Sequence, residues 1–395
     1  MSLALRDACP ARCAARVLTA IALLATTASG AEEVRPRARD LGLSPGVFRP
    51  GLLNAITDVR GVRVGHVTRI EGEDVRTGVT AILPHAGNLF QDKVPAGFVV
   101  GNGFGKFAGT TQIEELGELE TPVVLTNTLS VAEGVAASVE WTLEQKGNEA
   151  VRSVNAVVGE TNDGQINAIR LRKITKADVR TAILNAREGA VAEGNVGAGT
   201  GTQAFGWKGG IGTSSRVLPK AMGGYTVGAL VQTNYGGVLA MGGVPVGKAL
   251  GQYLLKDAES QYAADGSIIV VLATDAPLSD RNLTRLAKRA MNGIAITGSP
   301  MANGSGDYAL AFSTAESVRR TAERRKFTAQ IEDYSNAAMT PLFQAAMEAT
   351  EEAIYNALLQ AKTLYGAEGR VLHALPLDKL RPLLLEHGIR PPAGK

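Results

Sequence analysis

Asp265-Gly266-Ser267-Ile268-Ile269-Val270-Val271-Leu272 places a hydroxyl at the first position of an apolar run. β-Branched residues in that run read as a buried strand. Gly266, without a Cβ, allows strained or positive-φ backbone and leaves its carbonyl open to the Ser267 hydroxyl. Attack there would pass through an ester and break the Gly266–Ser267 peptide. Ser267 would then be a new N-terminus whose α-amino group, with an ordinary pKa of about 7.7–8.0, stands beside its own hydroxyl. The same residues also spell an ordinary turn into a buried strand, and taken alone the segment admits both readings.

Outward from the junction, polar residues Lys256 to Asp265 read as an exposed linker, where a cut does least damage because few contacts cross it. Upstream, β-rich runs are expected at 62–67, 79–83, 97–100, 122–126, 154–158 and 226–233. Helical periodicity is expected at 131–145 behind Ser130, at 176–188 behind Thr175, and briefly at 246–255. Downstream, helices at 279–296 and 342–363 flank a strand at 308–313. Strands and helices interleave without a regular βαβ repeat, which favours helices layered on packed sheets.

The first thirty residues form a separate device. Arg6, Arg12 and Arg16 precede the uncharged run Val17 to Ala25, and Ala28 and Gly30 suit cleavage before Ala31, so an exported, periplasmic or secreted protein is expected, with an uncleaved N-terminal anchor as the alternative. Cys9 and Cys13 fall inside this segment, which leaves the remainder without thiol, disulfide or cysteine–metal chemistry. That remainder carries 38 basic against 37 acidic side chains, with no basic cluster to attract nucleic acid or a membrane surface. Glycine is abundant (46) and aromatic residues are few (5%), a balance that favours a loop-rich α/β enzyme over a disordered chain.

Metal catalysis finds little support, because His66, His85, His373 and His387 stand apart without metal-ligand spacing. His66 reads as a satisfied strand residue or a base for a distant serine. The glycine-rich stretch 194–214 lacks a phosphate-loop lysine pattern and reads as backbone packed closely around a pocket, or as turns. Ser305 and Asp307, two apart in Asn303-Gly304-Ser305-Gly306-Asp307-Tyr308, should face one side of an extended chain. They can polarise a nucleophile or cap their own turn. Asn234 and Glu160 end buried-looking strands. Asn234 can donate to an oxyanion and Glu160 can bind an ammonium, or both can close loops.

In this order the pieces resemble the self-processing aminopeptidases that include the β-peptidyl aminopeptidases and the L-aminopeptidase/D-esterase enzymes. The likeness runs from Gly51 to about Thr314. It is most specific at 77–84, Gly159-Glu160-Thr161-Asn162-Asp163-Gly164, Val231-Gln232-Thr233-Asn234, Gly266-Ser267 with 273–278, and 303–307. The resemblance implies an α/β (α+β) four-layer αββα sandwich, analogous to N-terminal nucleophile hydrolases with different connectivity. It also implies self-cleavage at Gly266–Ser267 into an α chain, 31–266, and a β chain, 267–395, that stay together as one catalytic domain and assemble as an oligomer of αβ pairs.

Carried over by position, Ser267 matches the nucleophile, Ser305 and Asp307 its activating pair, Asn234 an oxyanion contact and Glu160 the anchor of the substrate amine. Asp307 is one methylene shorter than the glutamate of some relatives. Where some relatives have histidine within the segment matching 127–130, Leu129 implies a more apolar lining. The expected activity is hydrolysis of short peptides, amides or esters at their N-terminal residue, β-amino acids included, without a metal or organic cofactor. The alternatives are an acyltransferase like the ornithine acetyltransferases, disfavoured by a serine in place of their threonine, and a periplasmic peptide- or amine-binding protein in which Ser267 is structural.

Overall fold

Alternate side chains of the strand Asp265–Thr274 enter two different hydrophobic cores, Ile268, Val270 and Leu272 in one and Ile269, Val271 and Ala273 in the other. A strand buried on both faces must lie inside a sheet that is itself covered on both faces. The computed structural model describes residues 34–257 and 265–393, of which 35 onward form one compact unit. The expected signal segment 1–30, with Cys9 and Cys13, lies outside the described residues, as do 258–264 of the expected linker.

The strands up to the basic segment are β1 (Arg63–Glu71), β2 (Val75–Leu83), β3 (Asp92–Gly103), β4 (Phe107–Ala108), β5 (Glu118–Leu119), β6 (Val123–Asn127), β7 (Val157–Thr161), β8 (Gln203–Ala204), β9 (Trp207–Lys208), β10 (Ile211–Val217), β11 (Thr226–Asn234), β12 (Asp265–Thr274), β13 (Gly304–Ser313) and β14 (Arg320–Thr321). One sheet has the order β1-β2-β6-β7-β4. The other runs β10-β11-β12-β13-β3-β14, with β5 added to β3. The helices are α1 (Thr110–Leu116), α2 (Val131–Leu143), α3 (Lys176–Leu184), α4 (Val246–Ala249), α5 (Asp280–Ile296), α6 (Thr340–Gln360) and α7 (Leu377–Glu386).

Three cores define the layers. Ile82, Val123 and Leu125 of the smaller sheet meet Leu230, Ile269, Val271 and Leu310 of the larger one between the sheets. On the outer face of the smaller sheet, Val79, Val124 and Val158 pack against Ala137 and Trp141 of α2 and Val179 and Ile183 of α3. On the outer face of the larger sheet, Val231, Val270 and Ala309 pack against Leu286 and Ala290 of α5 and Ile354 and Leu358 of α6. The result is the expected αββα sandwich. Each aliphatic side chain fully buried in these layers contributes about 1.5–3 kcal/mol.

Several boundaries differ from the sequence expectation. The strand at the junction begins at Asp265, so Ser267 is its third residue, and the chain passes through Gly266–Ser267 as continuous strand. The helix behind Thr175 stops at Leu184, and the one after Pro245 is a single turn. β10 grows from the end of the glycine-rich stretch, whose loops pack with no room for side chains: a Cβ on Gly199 would stand 2.3 Å from the Ile211 nitrogen. A basic group not expected from composition, Arg319, Arg320, Arg324 and Arg325, does gather near β14. Its guanidiniums donate mainly to backbone carbonyls, as Arg324 does to Glu316 O (2.7 Å) and Arg325 to Arg320 O (2.6 Å), so they hold this segment in place.

Candidate active site

Three strand ends converge on the junction. β11 runs antiparallel to β12 with Asn234 opposite Ser267, while β13 runs parallel with Ser305 opposite Gly266 and Gly306 opposite Ser267. The parallel pairing needs a crossover, which α5 supplies. Chemistry carried on rigid central strands is held more closely than chemistry on loops.

Ser267 is buried, and its hydroxyl donates to the Gly266 carbonyl oxygen at 2.5 Å while accepting from the Gly306 N–H at 3.3 Å. The hydroxyl thus lies against the peptide unit that precedes it. Gly266 is not left-handed, which corrects the expectation of a positive φ. Space is what requires glycine there: a Cβ would stand 2.7 Å from both Asn234 O and Tyr235 Cα. Gly306 is confined as well, since a Cβ would lie 2.8 Å from Phe104 O and 3.2 Å from Ser267 Oγ.

Ser305 and Asp307 share a face, as their spacing predicts, and Ser305 Oγ donates to Asp307 Oδ1 at 2.7 Å. Alternation along β13 turns that face toward α5, with Ala309 and Ala311, whereas Ser267 points between the sheets with Ile269. The pair therefore flanks the Gly266–Ser267 peptide and makes no hydrogen bond to the Ser267 hydroxyl, contrary to direct polarisation of that hydroxyl. Asp307 is fully buried and its Oδ2 has no partner among the described residues. Burial pushes its carboxyl up to about 6 against the opposing pull of the Ser305 hydroxyl. Asn102 of β3 holds the turn before the pair, donating to the carbonyls of Ala302 (2.9 Å), Asn303 (3.1 Å) and Ser305 (2.5 Å).

Asn234 Oδ1 accepts from the Gln203 N–H at 3.0 Å, which orients its amide and leaves Nδ2 as the available donor. A cleft of about 350 Å³ has Ser267, Glu160, Lys106, Phe104 and Thr128 on its walls. A second of similar size adjoins it at Asn162 and Gly266 and reaches Asn234 and Gln203. Glu160 is buried at the end of β7 and bonds to Lys106 twice, through the backbone N–H (3.0 Å) and Nζ (3.1 Å). Leu129, next to Thr128, is part exposed.

Lys106, Gly306 and Asn102 escaped the sequence reading. Lys106 is 54 residues from Glu160 and meets it because β4 pairs with β7, Phe107 opposite Gly159, a two-residue contact too short to show in a pattern. His66 sits in β1 with Nδ1 on Thr80 Oγ1 (2.9 Å), away from Ser267, and burial lowers its pKa to about 4. That leaves it a strand histidine.

Comparisons with known proteins point the same way. The sequence pattern described as peptidase family S58 matches residues 54–372. The chain is 43% identical over 380 residues to the beta-peptidyl aminopeptidase BapA of Sphingosinicella microcystinivorans, covering 91% of this chain and 94% of that protein. It is 39% identical to the enzyme of the same name from Sphingosinicella xenopeptidilytica, covering 92% and 94%. Among solved structures, a Burkholderia sp. beta-aminopeptidase superposes with a TM-score of 0.82 at 41% identity, covering 90% of this chain and 100% of the other. The L-aminopeptidase D-Ala-esterase/amidase of Ochrobactrum anthropi, described as a prototype for the serine aminopeptidases and a new variant of the Ntn hydrolase fold, superposes with a TM-score of 0.81 at 40% identity over the same shares.

Proposed function

The chain belongs to peptidase family S58 and is a serine aminopeptidase; from that premise we propose that it cuts itself between Gly266 and Ser267 and then uses Ser267 to release N-terminal residues, β-amino acids among them, from short peptides, amides and esters. The observation that carries this reading is the Ser267 hydroxyl held 2.5 Å from the oxygen of the Gly266 carbonyl, at a glycine with no room for a side chain.

In the first stage Ser267 Oγ attacks the Gly266 carbonyl carbon. The C–N bond breaks as the nitrogen takes up the hydroxyl proton, and water then hydrolyses the ester to leave a Gly266 carboxylate and a free Ser267 hydroxyl and amine. In this reading Ser305 and Asp307, which lie beside this peptide on β13, hold and orient the new amino group. In the second stage Glu160 holds the substrate ammonium. The Ser267 α-amino group takes the hydroxyl proton as Oγ attacks the substrate carbonyl, and passes it to the departing amine. The Nδ2 of Asn234, unpartnered among the described residues, meets the oxyanion, a contact worth about 2.7–4 kcal/mol in the transition state. Water then releases the acyl group.

The same reading makes the precursor an exported one that loses residues 1–30, becomes an α chain (31–266) and a β chain (267–395), and works as an oligomer of αβ pairs in the periplasm or medium. Denaturing electrophoresis tests the central claim. Fragments of 31–266 and 267–395 are expected from active protein, and Ser267→Ala should yield one intact, inactive chain. Parent-rate hydrolysis of amino-acid p-nitroanilides by that variant would overturn the assignment.

A further inference from the structure

The amine anchor is half of an ion pair, and the pair is incompletely used. Lys106 Nζ, with three N–H donors, gives one to Glu160 Oε1 (3.1 Å) and one to Thr128 Oγ1 (2.7 Å), and the third has no acceptor among the described residues. Its side chain is 53% exposed, on the wall of the cleft that holds Ser267. Glu160 receives both Lys106 bonds on Oε1, so Oε2 accepts none among the described residues, although the side chain is only 3% exposed. A donor and an acceptor that are unpartnered among the described residues therefore belong to two bonded side chains on one cleft wall.

We infer that Glu160 and Lys106 together read a zwitterionic head group, ammonium and carboxylate on one carbon, and that the favoured substrates carry an N-terminal aspartyl residue joined through its β-carboxyl. This inference rests on the proposed role of Glu160 at the same site. In a β-aspartyl amide the amine is two carbons from the scissile carbonyl, as in any β-amino acid, and the free α-carboxylate shares the amine's carbon. The ammonium takes Glu160 Oε2 and the carboxylate takes the third N–H of Lys106.

Electrostatics separates this class from plain amines. Glu160 and Lys106 sum to zero, so a singly cationic substrate sets a second positive charge beside Nζ in a half-enclosed cleft. A zwitterion leaves every charge opposed. Because Nζ is bonded at 3.1 Å to the same carboxylate whose Oε2 takes the ammonium, the complementary charges must also lie near one another, which one shared carbon provides. An α-linked aspartyl residue carries its carboxylate one carbon farther away. Bond making and breaking are unchanged: the acyl group passes from nitrogen to Ser267 and then to water.

The test compares three p-nitroanilides on the mature enzyme: the β-anilide of L-aspartate, the α-anilide of L-aspartate, and 3-aminobutanoate, in which a methyl replaces the carboxylate. The β-aspartyl compound is expected to have the highest kcat/KM. Lys106→Met should lower the ratio of β-aspartyl to 3-aminobutanoyl kcat/KM about ten- to hundredfold, chiefly through KM, as loss of a charge-assisted hydrogen bond implies. Lys106→Arg should recover part of it. A wild-type ratio at or below one, a ratio untouched by Lys106→Met, or preference for the α-anilide overturns the inference. If Lys106→Met does not fold, the wild-type ranking decides alone. Turnover of 3-aminobutanoate without β-aspartyl turnover sinks this inference only, whereas turnover of none of the three sinks the Ser267 and Glu160 assignments with it.

Discussion

At the scale of the residue, Gly266 is fixed by its neighbours. Any Cβ there must push Asn234 and Tyr235 backbone that is locked in β11 and its continuation, so Gly266→Ala should cost about 1–3 kcal/mol and displace the scissile carbonyl. A lowered melting temperature and a persistent full-length band on denaturing gels check this. Asp307 gives a pH signature. Its carboxyl holds its proton more tightly folded (about 6) than unfolded (about 3.9), so its ionisation works against folding. That penalty is absent below about pH 4 and complete above about pH 6. In a Ser267→Ala background, which blocks the proposed cut, Asp307→Asn should gain stability relative to its parent as pH rises through this window. Parallel melting curves from pH 4 to 7 would expose a failure. Ser267, Asn234 and Glu160 were legible because polar residues at the ends of apolar strands need a reason to be there. The facing of Ser305 and Asp307 was not, since their side of the sheet depends on which neighbour β13 chooses.

At the scale of the element, the long apolar runs predicted themselves: β11, β12 and α5 lie within a residue or two of expectation. β10 stayed hidden because Gly212, Thr213, Ser214, Ser215 and Arg216 look like loop. They are strand because their polar groups find partners: Thr213 donates to Ala229 O of β11, while Ser214 and Ser215 donate outside the sheet, to Ala349 O and Asp58 Oδ2. Arg216, fully buried, donates to Glu348 Oε2 (3.0 Å) and Glu352 Oε2 (2.8 Å) on α6, and Arg39 reaches Glu352 from the N-terminal segment at 2.9 Å. Such a network is invisible in a local pattern because its members are up to 313 residues apart. Removing Arg216 takes the guanidinium from buried Glu348 and leaves Glu352 to Arg39, so Arg216→Met should destabilise the protein by about 3–5 kcal/mol in urea titration. A loss under 1 kcal/mol would mean that Arg39, together with Asn54, whose Nδ2 donates to Glu352 Oε1 at 2.5 Å, satisfies α6 unaided.

At the scale of the molecule, the αββα architecture was readable only through family likeness, because alternation tells which residues are buried but not how many sheets bury them. The proposed cut falls within the larger sheet, between strands that stay hydrogen-bonded on both sides: β12 to β11 of the upstream piece, and β13 to β3 of the same piece. α6 of the downstream piece also covers β10 and β11, with Tyr355 and Leu358 buried in that core. The two fragments should therefore co-elute in size exclusion at neutral pH and part only in denaturant. Separation in plain buffer would contradict the buried area between them. The position of Ser267 on a central strand also has a temporal meaning. Its hydroxyl meets the Gly266 carbonyl only in the register set by Asn234 on one side and Gly306 on the other, so a nascent or misfolded chain holds an inert serine. Under the proposed self-cleavage, activation becomes an audit of assembly, and a ribosome-fresh polypeptide carries no peptidase that could act on its surroundings.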